Sequence, residues 1–177
     1  MSTISSYYIR KYGNPEREAE FVSPEGKKIE IFKWNEEQTG EGVTMYATIG
    51  ASENIGNDQL VCEFFIGMTP AADHIVQALA EVALHGNGSD EVPSSGDTIT
   101  LAYDLWEGTK ARSFMFTDGE EILPPMSDGS KIIEFVQLVP LFDAELLYKK
   151  EHGEEALWDR FETKEVPYWN SDRDSAF

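Results

Sequence analysis

Cysteine is nearly absent from this 177-residue sequence, which contains Cys62 and no second thiol that could join it in an internal disulfide. Cys62 lies between Val61 and Glu63 in an otherwise apolar stretch, which favours a buried, reduced thiol. No run of about 18 apolar residues is present, which excludes a membrane-spanning helix. The N-terminal MSTISSYYIRKYG lacks a basic stretch followed by an apolar one, so no secretory signal is expected. These absences predict a cytoplasmic protein.

Basic residues are also scarce, since Lys and Arg number 14 whereas Asp and Glu number 33, giving a formal net charge of −19. Direct binding of nucleic acid is therefore disfavoured, because contacts to phosphate require basic side chains. A negative field of this kind favours basic partners, whose approach it accelerates. The alternative, in which the charge serves only to keep the protein soluble, stays open.

The composition is that of an ordinary folded protein, with 41% apolar and 12% aromatic residues. The length is enough for one compact domain with a sizeable core. We find no internal repeat, low-complexity tract or linker that divides the chain. Residues 1–177 are therefore predicted to form a single domain, in which residues 164–177 are a tail with little periodicity.

Apolar runs bounded by turn residues predict the strands of a sheet. A hairpin is expected around Ser23-Pro24-Glu25-Gly26, and Pro140 is expected to end the last strand. The central strands are apolar on nearly every residue, so helices are expected to cover at least part of both faces. The predicted strands are residues 17–22, 27–34, 43–49, 59–66, 97–103, 113–117 and 132–139.

Helical spacing of apolar residues predicts helices at residues 5–12, 69–85, 142–152 and 154–163. In the second of these, Thr69 is predicted to be the N-cap and Pro70 the first helical residue. Residues 35–42 are predicted to be a polar, acidic loop. The fold class is therefore α/β (α+β), with a central, mixed, largely antiparallel sheet and helices packed on it.

Four short segments occur in a recognisable order: YATIGAS at 46–52, EF at 63–64, FVQLV at 135–139 and DAEL at 143–146. In order and spacing they resemble the Suppressor of fused family, and the similarity extends over residues 43–161. The resemblance implies a mixed α/β domain of the bacterial single-domain branch, whose members are often immunity proteins or antitoxins encoded beside toxins, many of them nucleases. The animal member has a second domain and clamps a transcription-factor peptide, and that clamp is not transferred here. The resemblance implies no catalytic residue.

Residue types that support catalysis or metal binding do not occur in the required patterns. The histidines His74, His85 and His152 are predicted on helices or helix ends, and the first two are about 16 Å apart by helical rise. There is no His-x-x-x-His, paired cysteine, Gly-x-Ser-x-Gly or phosphate-loop pattern. The turn at residues 50–52 can offer backbone N–H groups to an anion, but acidic residues nearby argue against an anionic ligand. We therefore predict no enzymatic activity, no metal and no cofactor.

Carboxylate clusters and scattered tryptophans are the candidate sites for binding a protein partner. Carboxylates can imitate the spacing of phosphates in a basic cleft, and aromatic side chains dominate interface hot spots. Trp106 lies between carboxylates in a predicted turn, and the alternative is that it packs as a small core under that loop. The tail can either dock on the domain or reach for a partner. The predicted protein-binding residues are Trp106, Asp104, Glu107, Glu36, Glu37, Glu120, Glu121, Glu154, Glu155 and Trp169.

Two functions fit these observations. The first is an immunity protein or antitoxin that neutralises a basic toxin domain by stoichiometric occlusion. The second is a peptide- or protein-binding regulator, unrelated to toxins, that uses a groove or a sheet edge. An enzyme whose site has no visible motif is a weaker third. A steep dependence of association on salt favours the first function, whereas a weak dependence favours the second.

Overall fold

Helices on both faces of one sheet explain why the central strands are apolar on successive residues. The structure is a computed structural model that describes residues 2–177. Its strands are β1 (Arg17–Val22), β2 (Lys28–Trp34), β3 (Thr44–Ile49), β4 (Leu60–Met68), β5 (Thr98–Thr100), β6 (Ser113–Asp118), β7 (Met126–Asp128) and β8 (Lys131–Leu141). Over residues 2–177 they form one eight-stranded sheet in the order β1-β2-β3-β4-β8-β6-β5, with β7 paired to β8.

The pairing of the strands confirms the fold class predicted from the sequence. The β4–β8 pair is parallel, whereas the remaining pairs are antiparallel. The helices packed on this sheet are α1 (Thr3–Tyr12), α2 (Glu36–Thr39), α3 (Ile75–His85), α4 (Asp143–His152) and α5 (Glu154–Thr163), and a short 3-10 helix spans Ala51–Glu53. The hairpin of β1 and β2, and the helices α1, α4 and α5, lie within a few residues of where the sequence predicts them.

Alternate residues of the central strands contact different helices, because successive side chains of a strand point to opposite faces. Tyr46 and Phe64 belong to a core that includes Leu79 of α3. Their neighbours Met45 and Phe65 belong to a core that includes Tyr8 and Trp34, on the side of α1. Cys62 is fully buried in the first of these cores, as predicted.

The helices α4 and α5 pack on the β6–β8 end of the sheet. Met115 and Val139 form a third core there with Leu157 and Phe161 of α5. Val139 shares a face of β8 with Phe135, which belongs to the core beside α1. Helix α1 and the α4–α5 pair therefore cover two ends of the same sheet face.

The predicted start of the helix at Thr69 is wrong, because the helix begins at Ile75. Residues 69–74 are held by tertiary contacts that compete with the helix. The Thr69 N–H donates to the Trp169 carbonyl (3.0 Å), and the Ala72 N–H donates to the Tyr46 hydroxyl (3.1 Å). The local sequence therefore favours a helix start at Thr69, but hydrogen bonds to residues distant in the sequence hold this segment in another conformation.

Three further predictions about local structure need correction. Residues 35–42 contain the short helix α2, which begins with a capping box between Asn35 and Gln38. The strand predicted at residues 97–103 is confined to Thr98–Thr100. Pro140 does not end β8 but pairs with Phe114 inside it. Its missing N–H is tolerated because the β4–β8 pairing extends only to Gln137, which leaves one edge of β8 free at residue 140.

Among residues 2–177, no helix combines the length and the apolar character that crossing a membrane requires.

Candidate protein-binding surface

The C-terminal tail, residues 164–177, is docked on the domain. Its Asn170 forms an isolated parallel β-bridge with Thr69, directly after β4. The Ser171 N–H donates to the Thr69 carbonyl (3.0 Å), and the Ser171 hydroxyl donates to the Pro70 carbonyl (2.6 Å). The tail is therefore docked on the domain and does not extend freely. The sequence left both possibilities open.

Arg173 fixes the end of the tail against α4. Its guanidinium donates to both carboxylate oxygens of Glu145 (2.6 and 3.0 Å) and to the Pro140 carbonyl (3.0 Å). Glu145 is fully buried, and it also accepts hydrogen bonds from the backbone N–H groups of Phe142 and Ala176. A buried carboxylate is stable when its lone pairs are satisfied in this way, so the tail has a defined position.

The loop that carries Trp106 lies against this docked tail. The Trp106 side chain is 7% exposed and belongs to the core beside α3. Its indole N–H donates to the Ser171 carbonyl (3.2 Å). Asp104 and Glu107, by contrast, are exposed, and Glu107 lies 3.2 Å from the His74 imidazole. Trp106 therefore supports the loop from inside, while the carboxylates on either side of it are presented to solvent.

A cavity of about 390 Å³ lies between this loop, residues 71–74, Phe142 and the end of the tail. It contains the carboxylates of Asp73, Glu107, Asp172 and Asp174, together with basic groups of Lys110 and Arg173. Its charges are therefore mixed, and the basic group of Arg173 is already occupied by Glu145.

Asp73 at the edge of this cavity is held in its ionised form. Its carboxylate accepts a hydrogen bond from the Tyr46 hydroxyl (2.6 Å) and forms ion pairs with Lys33 (2.9 Å) and Arg17 (3.0 Å). Partial burial acts to raise the pKa of Asp73, but the hydrogen bonds from Tyr46 and Lys33 and the charge of Arg17 outweigh it and lower the pKa. Asp73 thereby links β1, β2 and β3 to the segment that precedes α3.

The remaining predicted residues divide between three places. Glu36 and Glu37 are exposed on α2, and Glu36 accepts a hydrogen bond from the Thr69 hydroxyl (2.6 Å), close to Trp169. Glu120 and Glu121 are exposed in the connection between β6 and β7. Of the pair on α5, Glu155 is exposed, whereas Glu154 accepts hydrogen bonds from Ser95 and Trp158.

The structure thus brings part of the predicted set together along the docked tail. Trp169 is 43% exposed and lies on one side of the tail's bridge to Thr69, and the Trp106 loop contacts the tail at Ser171 on the other. Glu120, Glu121, Glu154 and Glu155 lie on other elements of the fold. That any of these residues contacts a partner stays a prediction.

Glu63 is a buried charged residue whose partners the sequence did not predict. Its carboxylate accepts hydrogen bonds from the N–H groups of Gly50 (2.9 Å), Ala51 (3.1 Å) and Ser52 (3.1 Å). The hydroxyls of Thr48 (2.7 Å) and Ser52 (2.9 Å) also donate to it. The anion site considered at residues 50–52 is therefore filled by the chain's own carboxylate. Burial raises the pKa of Glu63, and the five donors oppose that effect.

Gly50 is required at this turn for two reasons. Its φ of 117° is in a region that favours glycine, and a Cβ there would lie 2.5 Å from the Lys28 carbonyl oxygen. The motif YATIGAS is thus a structural device that supplies hydrogen bonds to a buried carboxyl group, and residues 46–51 are themselves buried.

Most of the negative charge on this protein has no basic partner. Within residues 2–177, ion pairs with Lys or Arg engage the carboxylates of Glu16, Glu20, Glu30, Asp73 and Glu145, and Glu107 lies beside a histidine, out of 33 Asp and Glu residues. Across the same residues, no group of three or more His, Cys, Asp or Glu side chains is arranged to hold a metal ion. The unpaired carboxylates leave a negative field that attracts positively charged molecules.

Two solved structures of Suppressor of fused proteins share this fold. A homologue from Neisseria gonorrhoeae FA 1090 superimposes with a TM-score of 0.72 at 19% identity, over 99% of this chain and 95% of that one. Drosophila Suppressor of Fused gives a TM-score of 0.71 at 13% identity, and the match covers 98% of this chain but 50% of the fly protein. The match therefore accounts for half of the animal protein.

A third structure, that of the Sufu–Fu complex, gives a TM-score of 0.70 at 13% identity, over 98% of this chain and 91% of that one. Among curated proteins, Immunity protein YqcF of Bacillus subtilis (strain 168) is 24% identical over 148 residues, which is 78% of this chain and 77% of YqcF. The model of the family described as Suppressor of fused protein (SUFU) matches residues 25–174. This chain therefore belongs to the Suppressor of fused family.

Proposed function

We propose that this chain is a non-enzymatic immunity protein that binds a basic toxin domain and neutralises it by stoichiometric occlusion. The observation that carries the proposal is the net charge of −19, most of which has no basic partner within the folded chain. The similarity to a protein named as an immunity protein supports the same function.

The mechanism has two parts, which act at different distances. Carboxylates on α2 and on the Trp106 loop attract the basic partner from beyond contact distance and raise the association rate. At contact, rim charges add little affinity, so a tight complex needs partly buried aromatic anchors. Trp169, which is 43% exposed on a tail that Arg173 holds in place, is the anchor that this surface offers.

A peptide- or protein-binding regulator is the second candidate. Two observations favour it: the fold matches the structure of the Sufu–Fu complex, and a partly apolar groove lies beside Trp169. The outer edge of β1 is a further feature of this kind, because β1 pairs with β2 on one side and ends the sheet. Binding through apolar contacts or backbone pairing predicts a complex that high salt does not weaken.

The proposal is tested with the basic C-terminal domain of a toxin encoded next to the gene for this chain. Co-expression is expected to restore the growth of cells that produce the toxin domain, and the purified proteins are expected to form a one-to-one complex on size exclusion. Growth without a complex, or full neutralisation of the toxin by much less than one equivalent of this chain, would contradict occlusion.

Charge reversal at matched positions separates a local acidic surface from general acidity. The first variant reverses carboxylates along the tail side of the molecule, Glu36→Lys, Glu37→Lys and Glu107→Lys. The control reverses three exposed carboxylates elsewhere, Glu53→Lys, Asp58→Lys and Asp128→Lys, and has the same net charge. The first variant is expected to lose protection and the control to keep it. Equal loss in both variants would assign the effect to net charge alone.

A further inference from the structure

A strip of one sheet face lies uncovered between the two helical layers on that side. The core beside α1 includes Met45 and Phe65, and Tyr168 packs against the core beneath α4 and α5. Both sets of residues border one groove of about 480 Å³, which we name the Trp169 groove. It is lined by Glu41, Gly42, Val43, Met45, Phe65, Gly67, Ile122, Gln137, Tyr168 and Trp169.

The floor of the Trp169 groove is tightly built. A Cβ on Gly67 would lie 2.8 Å from Val43 Cγ2, so only glycine lets the two strands bring Val43 to this position. Met45 and Phe65 are fully or almost fully buried beneath it. The floor is therefore closely packed and mostly apolar, with Gln137 of β8 as its polar member.

Each wall of the Trp169 groove is fixed by hydrogen bonds. On one side, the Ile122 carbonyl accepts a hydrogen bond from the Lys11 ammonium group of α1. On the other, the Trp169 carbonyl accepts from the Thr69 N–H (3.0 Å), and the rings of Tyr168 and Trp169 meet edge to face with centroids 5.1 Å apart. The groove is thus preformed, which lowers the entropic cost of filling it.

The lining of the Trp169 groove carries negative charge, although the Lys11 ammonium group lies behind its Ile122 wall. Glu41 is the acidic residue of the lining, and no lining residue is basic. Glu36 and Glu37 lie on α2, immediately before Glu41 in the chain. A cation placed at this rim meets the Glu41 carboxylate and a partly exposed indole, two groups that can attract it together.

We propose that the Trp169 groove binds a segment of the basic partner in which a large apolar side chain is followed by Lys or Arg. The apolar side chain packs on Val43 and Ile122, and the basic one lies between Glu41 and the Trp169 ring. This inference rests on the proposed function for the identity of the partner, but the chemistry of the segment is set by the groove and can be tested without the toxin.

The test is an NMR titration of the ¹⁵N-labelled full chain with short capped peptides. The probe is acetyl-Gly-Leu-Lys-Arg-Gly-amide, with one comparison peptide that has Glu-Glu in place of Lys-Arg and one that has Gly in place of Leu. The probe is expected to shift the amide signals of Val43, Gly67, Ile122 and Gln137 and the indole N–H signal of Trp169. Each comparison peptide is expected to bind about tenfold more weakly or worse.

Two variants with matched controls make the test specific. Trp169→Ala is expected to abolish the shifts, whereas Phe177→Ala, which removes a tail aromatic of equal exposure (44% against 43%), is expected to keep them. Glu41→Gln is expected to weaken binding of the probe peptide. Glu53→Gln, at an exposed residue on another turn, is expected to leave the affinity for the peptide unchanged.

Three results would overturn the inference: shifts of equal size with the acidic peptide, shifts that persist in Trp169→Ala, or shifts confined to other surfaces. Sedimentation of the free chain as a dimer that Trp169→Ala dissociates would also overturn it, because a second copy would then fill the groove. Failure of the peptides while the toxin is still neutralised rejects the groove and leaves the proposed function standing. Binding of the peptides without neutralisation of the toxin would support the groove and reject the proposed function.

Discussion

Arg173 forms a two-pronged ion pair with Glu145, with Nη1–Oε1 and Nη2–Oε2 distances of 2.6 and 3.0 Å. The two side chains are 6% and 0% exposed, so this contact between the C-terminal tail and α4 is shielded from water. The Arg173 guanidinium also lies over the rings of Phe142 and Phe161. This contact gives the tail, and with it Trp169, a fixed place on the domain.

Loss of Arg173 is expected to be costly, because it leaves the Glu145 carboxylate buried without a countercharge. We expect Arg173→Ala to lower the free energy of unfolding by about 3–5 kcal/mol, as measured by urea unfolding. Arg10→Ala, at an exposed position of α1, is the control and is expected to change it by less than about 0.5 kcal/mol. Equal stability of the two variants would contradict the assignment of Arg173 as the residue that holds the tail.

Replacement of Glu63 by glutamine is expected to destabilise the protein. In Glu63→Gln, an NH₂ group must face N–H or hydroxyl donors that now donate to a carboxylate oxygen. We expect the free energy of unfolding to fall by about 2–4 kcal/mol, whereas Glu53→Gln on the exposed side of the same turn should have little effect. A Glu63→Gln variant as stable as the parent would show that the five donors do not depend on the charge.

Asp73 is expected to stabilise the fold in a pH-dependent way. Its pKa in the folded protein is lowered from the ordinary value of 3.8, so the folded state favours the ionised form. The stability it contributes is therefore fully present above pH 3.8 and is lost as the pH falls through the lowered pKa. Asp73→Asn should be less stable than the parent near neutral pH, and the gap should close below pH 3.8 in urea unfolding. A gap that stays constant with pH would contradict this.

Truncation of Trp106 and truncation of Trp169 are expected to affect different properties of the protein. Trp106 is 7% exposed, so Trp106→Ala should lower the free energy of unfolding by about 3–5 kcal/mol through loss of core packing. Trp169 is 43% exposed, so Trp169→Ala should cost much less and should act on partner binding instead. If Trp106→Ala leaves urea unfolding unchanged, the indole is not part of the core.

The sheet is the part of the fold that the sequence predicts best. Strands β3 and β4 are runs of mostly apolar and β-branched residues, interrupted in β4 by the buried Glu63, and such runs have no stable alternative to burial. The start of α3 was missed for a different reason. The local signals at Thr69 and Pro70 were favourable, but the backbone of Thr69 pairs with the tail about a hundred residues later, and local propensity does not register such a partner.

The candidate surface was predicted less completely than the fold. Exposed carboxylates such as Glu36 and Glu107 follow from charge and turn composition. Trp106 does not, because whether an indole in a loop points outward depends on a partner such as the Ser171 carbonyl, which lies in the tail. The Trp169 groove was not predicted, since its lining comes from five separate parts of the chain.

Electrostatic steering is tested most directly by the association rate of this chain with the basic toxin domain that it is proposed to neutralise, measured by stopped flow at several salt concentrations. If unpaired carboxylates steer a basic partner, the rate constant should fall by about tenfold or more between low salt and 0.5 M salt. The dissociation rate should change less, because it reflects anchors such as Trp169. An association rate that does not depend on salt would contradict the central claim.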